Sequence, residues 1–327
     1  MRNLKTLTLP AAVSLAIIPL ASIAAPVLNG AGATFPAPLY QRWFNDYSQS
    51  TGNRVNYQSV GSGAGVRQFV AGTVDFAASD EPIKDSEVAK VKRGVIQIPV
   101  VGGTIAVAYN KPGCSLKLTQ SQTADIFQGK INNWSKLGCA AGPIAVVHRS
   151  DGSGTTFAFT SSLSSFSSGW KTKVGEGKSV NWPVGVGAKG NEGVAATIKN
   201  TPGSIGYTAI AFVKQNGLKS AAIQNKAGSF TLPNLKNGQS ALLSLKLNSR
   251  LAGEDPNPSG TDSYPISTLT WVLAYEKGNG AKAGPIRDAL RYMLSPAAQS
   301  KADDLGYVPL KEGLLKQARQ AVSKIGQ

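Results

Sequence analysis

The chain has 327 residues, 34 Lys+Arg against 18 Asp+Glu for a net charge of +16, and 42% hydrophobic with 16% charged residues. That composition is globular and long enough for about two domains; it excludes a disordered or coiled-coil protein. One histidine and two cysteines exclude nearly every metal centre built on those ligands, including a four-cysteine iron–sulfur cluster, and make haem a poor fit.

In chain order, Arg2 and Lys5 precede an apolar stretch, Leu7–Ala21, broken by Pro10 and Pro19. Ser22-Ile23-Ala24 then offers small residues for cleavage before Ala25, the layout of an export signal over 1–24. The run is short for a spanning helix, which needs about 20 residues. No cysteine follows it to carry a lipid anchor, so a free exported protein is expected. In that compartment Cys114 and Cys139 are expected to form one disulfide, with two separate buried thiols as the alternative.

Strands and helices then alternate. A helix is expected at Leu39–Phe44, a strand at Arg54–Ser59, a short helix at Val66–Ala71 and a buried strand at Val74–Ala78. Asp85–Arg93 has helical spacing; Val95–Val100 and Thr104–Tyr109 read as two strands. Beyond Lys111 come a helix at Thr119–Phe127, a strand at Ile144–His148, and helices at Thr155–Leu163 and Val194–Ile198. Residues 215–263 are looser. Ser267–Tyr275 is a strong strand, followed by helices near Pro285–Leu294, Pro296–Asp304 and Glu312–Ser323. This rhythm predicts an α/β fold with mainly parallel sheets.

Three segments share one design: Gly30-Ala31-Gly32-Ala33-Thr34-Phe35-Pro36, Gly61-Ser62-Gly63-Ala64-Gly65 and Ser150-Asp151-Gly152-Ser153-Gly154-Thr155-Thr156. Each is small, glycine-rich and hydroxyl-bearing, and each runs into an apolar helical segment. Glycine allows close backbone approach, and a helix start presents free N–H groups to an anion. Arg149 ends a strand just before the third loop, where its guanidinium can chelate two oxygens, and Asp151 is placed to orient it. Asp80 also ends a strand; an acid beside an anion site makes sense when the ligand carries a proton, as hydrogen phosphate does. The basic excess is spread along the chain without a block of five like charges, so nucleic acid is not an expected partner.

Other motifs are discounted. Gly185-Val186-Gly187-Ala188-Lys189-Gly190 matches G-x-G-x-x-G but follows Trp182-Pro183 rather than an apolar strand, and reads as a loop. Gly177-Lys178-Ser179 looks like the end of a P-loop, but Thr172 stands where its first glycine belongs. His148 and Arg149 are adjacent on a strand and point to opposite faces, so His148 is not expected to act as a base in the site.

These segments, in this order, resemble the exported phosphate-binding proteins of the high-affinity ABC phosphate transporter (PstS type). The likeness also runs through Val55-Asn56-Tyr57-Gln58, Val74 to Asp80, Ala145 to Arg149, Asn181-Trp182-Pro183-Val184-Gly185 and Ile205-Gly206-Tyr207, but is poor over 215–262. It implies a two-domain periplasmic-binding-protein fold of type II-like topology, with the ligand in the interdomain cleft and a two-strand hinge near Gly102–Tyr109 and Pro265–Tyr275. Domain I would be 25–105 plus 265–327, and domain II 106–264. The implied phosphate ligands are Thr34, Phe35 through its N–H, Ser62, Asp80, Arg149, Ser153, Gly154 and Thr155, with Asp151 holding Arg149. Gly63 stands where some members have a second serine, and His148 where others place arginine.

The resemblance implies a monomeric periplasmic carrier with no cofactor, no metal and no catalytic residue. Its partners would be inorganic phosphate and an inner-membrane ABC permease with a cytoplasmic ATPase. The alternatives are a carrier of another tetrahedral oxyanion such as sulfate, which Asp80 opposes, and a secreted phosphatase, which one histidine and no evident carboxylate cluster oppose.

Overall fold

The structure, a computed structural model, describes residues 26–326. The expected export signal and its cleavage point lie outside the described residues. Among those described, no helix is long and apolar enough to cross a membrane.

The first lobe opens with parallel strands Leu28–Gly32, Val55–Ser59 and Phe76–Ser79, joined by helices Ala37–Thr51 and Ser62–Ala71. The first helix begins beside Pro36, where a missing N–H costs nothing. It buries Leu39, Tyr40, Trp43, Phe44 and Tyr47, the i, i+3, i+4 stripe of a core-facing helix, and ends at Gly52 in the left-handed conformation. Trp43 is fully buried and donates Nε1–H to the Ala298 carbonyl at 2.7 Å, which ties the C-terminal helices to this lobe. Burying a side chain of that kind contributes roughly 1.5–3 kcal/mol or more.

The second lobe repeats the scheme with strands Ala145–Arg149, Val186–Ala188 and Ser204–Ala209 in parallel, and helices Gly154–Phe166, Gly190–Asn200 and Ile210–Asn216. A small sheet of Lys117–Leu118, Ala222–Gln224 and Phe230–Thr231 lies beside it. Cys114 and Cys139 are bonded, with Cα atoms 5.4 Å apart, and close a loop across 25 positions of sequence.

One strand, Val95–Asn110, serves both lobes. Residues 95–104 pair antiparallel with Ser267–Tyr275, and residues 105–110 pair antiparallel with Ser204–Ala209. Ser267–Tyr275 in turn pairs antiparallel with Phe76–Ser79. The sheets are therefore mixed rather than mainly parallel. A chain that leaves one lobe on one strand and returns on its neighbour must run in opposite directions on the two, so the crossing strands break the parallel order.

Three further expectations change. The two strands expected at Val95–Val100 and Thr104–Tyr109 are one, because Gly102 and Gly103 mark close packing rather than a break. A Cβ on Gly102 would meet Leu242 Cδ1 at 2.2 Å, and one on Gly103 would meet Phe35 Cζ at 2.7 Å. The helix expected over Asp85–Arg93 stops at Val88, since Arg93 is drawn away to lie 3.6 Å over the Tyr275 ring and to donate to the Lys277 and Gly278 carbonyls. The segment read as a loop at 185–190 holds the edge strand Val186–Ala188, and Gly190 opens a helix.

Candidate anion-binding site

All three glycine-rich segments meet where the lobes touch. Gly61 and Gly63 of the first lobe pack on Asp151 and Gly152 of the second, and Gly63 N–H donates to the Gly152 carbonyl at 2.8 Å. A Cβ on Gly61 would fall 2.2 Å from Asp151 Oδ2, and its φ of +89° disfavours other residues as well. Gly154 is packed just as closely: a Cβ there would sit 2.6 Å from Ser62 Oγ and 2.7 Å from Asp80 N. Thr34, Phe35, Ser62, Asp80, Arg149, Ser153, Gly154 and Thr155 are all buried in this seam.

Donors line the pocket. Ser153 caps the helix Gly154–Phe166, its Oγ accepting from Thr156 N–H at 3.0 Å. Ser62 Oγ accepts from Gly154 N–H at 3.1 Å and from Asp80 N–H at 3.3 Å, which leaves the serine proton to donate. Among the described residues, no acceptor takes the N–H of Phe35 or of Thr155. These lie at the start of one helix and in the turn before another, where backbone donors face an anion.

Arg149 and Asp151 form a two-pronged pair, Nε to Oδ1 at 2.7 Å and Nη2 to Oδ2 at 2.5 Å. Arg149 Nη1 is buried without a hydrogen-bond partner among the described residues. Burial works to raise the Asp151 pKa, but the hydrogen bond and charge of Arg149 and the Gly190 N–H hold it below the usual carboxylate value.

Asp80 is the opposite case. Its Oδ1 accepts from Thr270 Oγ1 at 2.7 Å and its Oδ2 from Thr155 Oγ1 at 3.4 Å. Burial pushes its pKa up to about 7, against the pull of the Thr270 bond, the Arg149 charge and the Thr155 bond. A permanent cation and an acid whose pKa burial raises to about 7 therefore lie close together, both buried in one seam.

Sequence reasoning missed Asn191. At the start of the helix Gly190–Asn200 it is fully buried, and its Nδ2 donates to Thr34 Oγ1 at 2.7 Å and to Thr155 Oγ1 at 3.1 Å. Its Oδ1 accepts from Thr208 Oγ1 and Ala209 N–H at 3.0 and 2.9 Å. One amide thus joins a hydroxyl from each lobe. Gly190-Asn191 opening an apolar helix was the available signal, but it lacks the serine or threonine that marked the other loops. His148 lies outside this cluster, its ring stacked on Trp182 with centroids 4.8 Å apart.

Two α/β lobes joined by crossing strands, with a polar cluster closed between them, define a solute-binding protein, and residues 21–297 match the PBP superfamily domain, to which the chain belongs. Within that superfamily the chain belongs to the PstS-type family. It is 42% identical over 310 residues to the phosphate-binding protein PstS of Pasteurella multocida, covering 89% of this chain and 88% of that one. Among solved structures, it is similar to a high affinity periplasmic phosphate-binding protein bound with phosphate (TM-score 0.76, 22% identity, 90% of this chain and 93% of that one). It is also similar to an ABC-type phosphate transport receptor from Vibrio cholerae (TM-score 0.59, 20% identity, 86% and 99%).

Proposed function

We propose that the chain binds inorganic phosphate between its lobes and hands it, chemically unchanged, to an ABC-type importer in the inner membrane. The observation that carries this reading is the pairing of Arg149 with Asp80. Arg149 is held by Asp151 on two nitrogens and keeps Nη1 for a ligand oxygen; Asp80 is a buried acceptor for a ligand proton. Phosphate carries both features near neutral pH, whereas sulfate carries no proton to offer.

In this reading Thr34, Ser62, Ser153 and Thr155 supply hydroxyls. Phe35, Gly154 and Thr155 supply backbone N–H groups, with Gly154 N–H released from Ser62 Oγ when the anion enters. Domain I is 25–105 plus 265–327 and domain II 106–264. The change of partner between Thr104 and Ile105 along the crossing strand supports that division. The protein works in the periplasm as a monomer, after removal of residues 1–24. A permease with its ATPase reads the closed form and accepts the ligand. No cofactor or metal takes part, and no bond to phosphate is made or broken. The phosphatase alternative has no histidine base in the cluster, since the single histidine stacks on Trp182.

Calorimetric titration of phosphate-stripped protein tests the reading. One tight site for phosphate, with sulfate at the same pH at least 10³-fold weaker, is expected. No heat with phosphate, or equal affinity for sulfate, refutes it.

A further inference from the structure

Lys178 belongs to the Gly-Lys-Ser sequence that fails as a P-loop, and the site residues above do not use it. Its side chain is 14% exposed and reaches across the seam, where Nζ lies 3.0 Å from Glu81 Oε2 and 3.5 Å from Glu87 Oε1, both on the opposite lobe. The Glu81 side chain is only 3% exposed. Its Oε2 makes no well-angled hydrogen bond among the described residues, so the Lys178 ammonium is the charge that compensates it there. Lys84, on the same lobe as Glu81, stands beside Oε1 from a largely exposed position.

Both ends of this pair are anchored to the anion site. Glu81 directly follows Asp80, and its backbone is clamped by Ser79, whose Oγ donates to the Glu81 carbonyl at 2.6 Å and accepts from its N–H at 3.1 Å. On the other lobe, the Lys178 carbonyl accepts the N–H of Ser153 at 2.8 Å, and Gly177 N–H donates to Thr160 Oγ1 at 3.1 Å. Lys178 is therefore bonded to the residue that caps the helix facing the anion. The lobes cannot separate without breaking the pair. Another nearby pair, Arg250 with Asp85, is exposed at both ends and screened by water.

We propose that Lys178 is a latch, a positioning residue that closes on Glu81 and Glu87 and sets how long the cleft holds its anion. The proposal rests on the phosphate-carrier reading. When the cleft opens, both charges regain water, so the intact pair adds little net stability to closure. Removing Lys178 is different: in the closed form only, it leaves the buried Glu81 Oε2 without a cation, with the largely exposed Lys84 beside Oε1 as the remaining charge. The closed form is then disfavoured, and the anion escapes sooner.

Lys178→Met, Glu81→Gln, the double variant and the surface control Lys173→Met test this. Phosphate affinity is measured by calorimetry, release by stopped-flow tryptophan fluorescence, and closure by spin-label distances between the lobes with and without phosphate. Lys178→Met is expected to bind phosphate about 10- to 100-fold more weakly, mainly through faster release, with a larger open fraction. The double variant is expected to recover at least half of that loss on a logarithmic scale, because no lone charge remains buried. Lys178→Arg is expected to stay within about threefold of the parent. Affinity and release within twofold of the parent in Lys178→Met overturn the latch, as do losses that simply add in the double variant. If the parent itself fails to bind phosphate, the carrier reading falls instead. A ligand-free melting curve of each variant separates misfolding from altered closure, and the coupling in the double variant is read only from folded proteins.

Discussion

Replacing Asp80 by asparagine removes a charge that burial disfavours, and the consequence for stability has a definite sign and size. The folded-state pKa stands at about 7 against an ordinary value of 3.8, a rise of about three units. At 1.36 kcal/mol per unit, folding with Asp80 ionised costs up to about 4 kcal/mol relative to folding with it protonated. Because the folded pKa is the higher one, the folded state binds the extra proton. Stability is therefore fully present below about pH 4 and is lost as the pH rises through about 7. Asparagine has no such term. It keeps an acceptor for Thr270 and can turn its amide toward Thr155, so the local bonds survive. Melting curves of phosphate-free parent and Asp80→Asn are compared from pH 5 to 9, so that all other titrations cancel in the difference. The variant is expected to gain on the parent as pH rises, reaching on the order of 5–10 °C above pH 8. Two curves that run parallel across that range refute a buried carboxylate of raised pKa at Asp80. The same variant, freed of a pure acceptor, should bind sulfate measurably better than the parent in competition with phosphate.

Arg149→Lys keeps the charge but loses the fork that grips Asp151, so calorimetry should show phosphate affinity lower by about 10- to 150-fold. Asn191→Ala strips a donor from Thr34 and Thr155 and an acceptor from Thr208 and Ala209; urea unfolding should show a loss of about 2–4 kcal/mol, and phosphate titration a weakening of at least about tenfold. Intact mass without reductant should show the exported chain two protons lighter than its dithiol, and replacing both Cys114 and Cys139 by serine should cost roughly 3–4 kcal/mol in the same unfolding assay.

Much of the chemistry was legible because it is written locally. A hydroxyl in a glycine-rich turn ahead of an apolar run is recognisable within seven residues, and three such turns stood out in one chain. Asp80 and Arg149 were legible for the same reason, each at the end of a short apolar strand. Asn191 was not. Its partner Thr34 is 157 positions away, and nothing near Asn191 marks that contact. Lys178 sits in a failed motif and is silent in the sequence, because its meaning depends on Glu81, which only the closed lobes bring within 3.0 Å. The parallel bias failed for a related cause. Local rhythm reports each strand and helix, but the direction in which a crossing strand meets its neighbours depends on how often the chain passes between lobes.

By itself, then, the sequence determined the alternation of strands and helices, the types of side chain available to an anion, the cysteine pair and the basic excess, since composition, periodicity and turn chemistry act over a few residues. Tertiary structure alone decided the mixed sheet order, the continuity of Val95–Asn110 through both lobes, the amide that joins the lobes and the buried state of Asp80. Each of these depends on groups far apart in sequence sharing one dry space, where a charge loses water and a hydrogen bond gains strength, and that environment exists only once the two lobes have closed on each other.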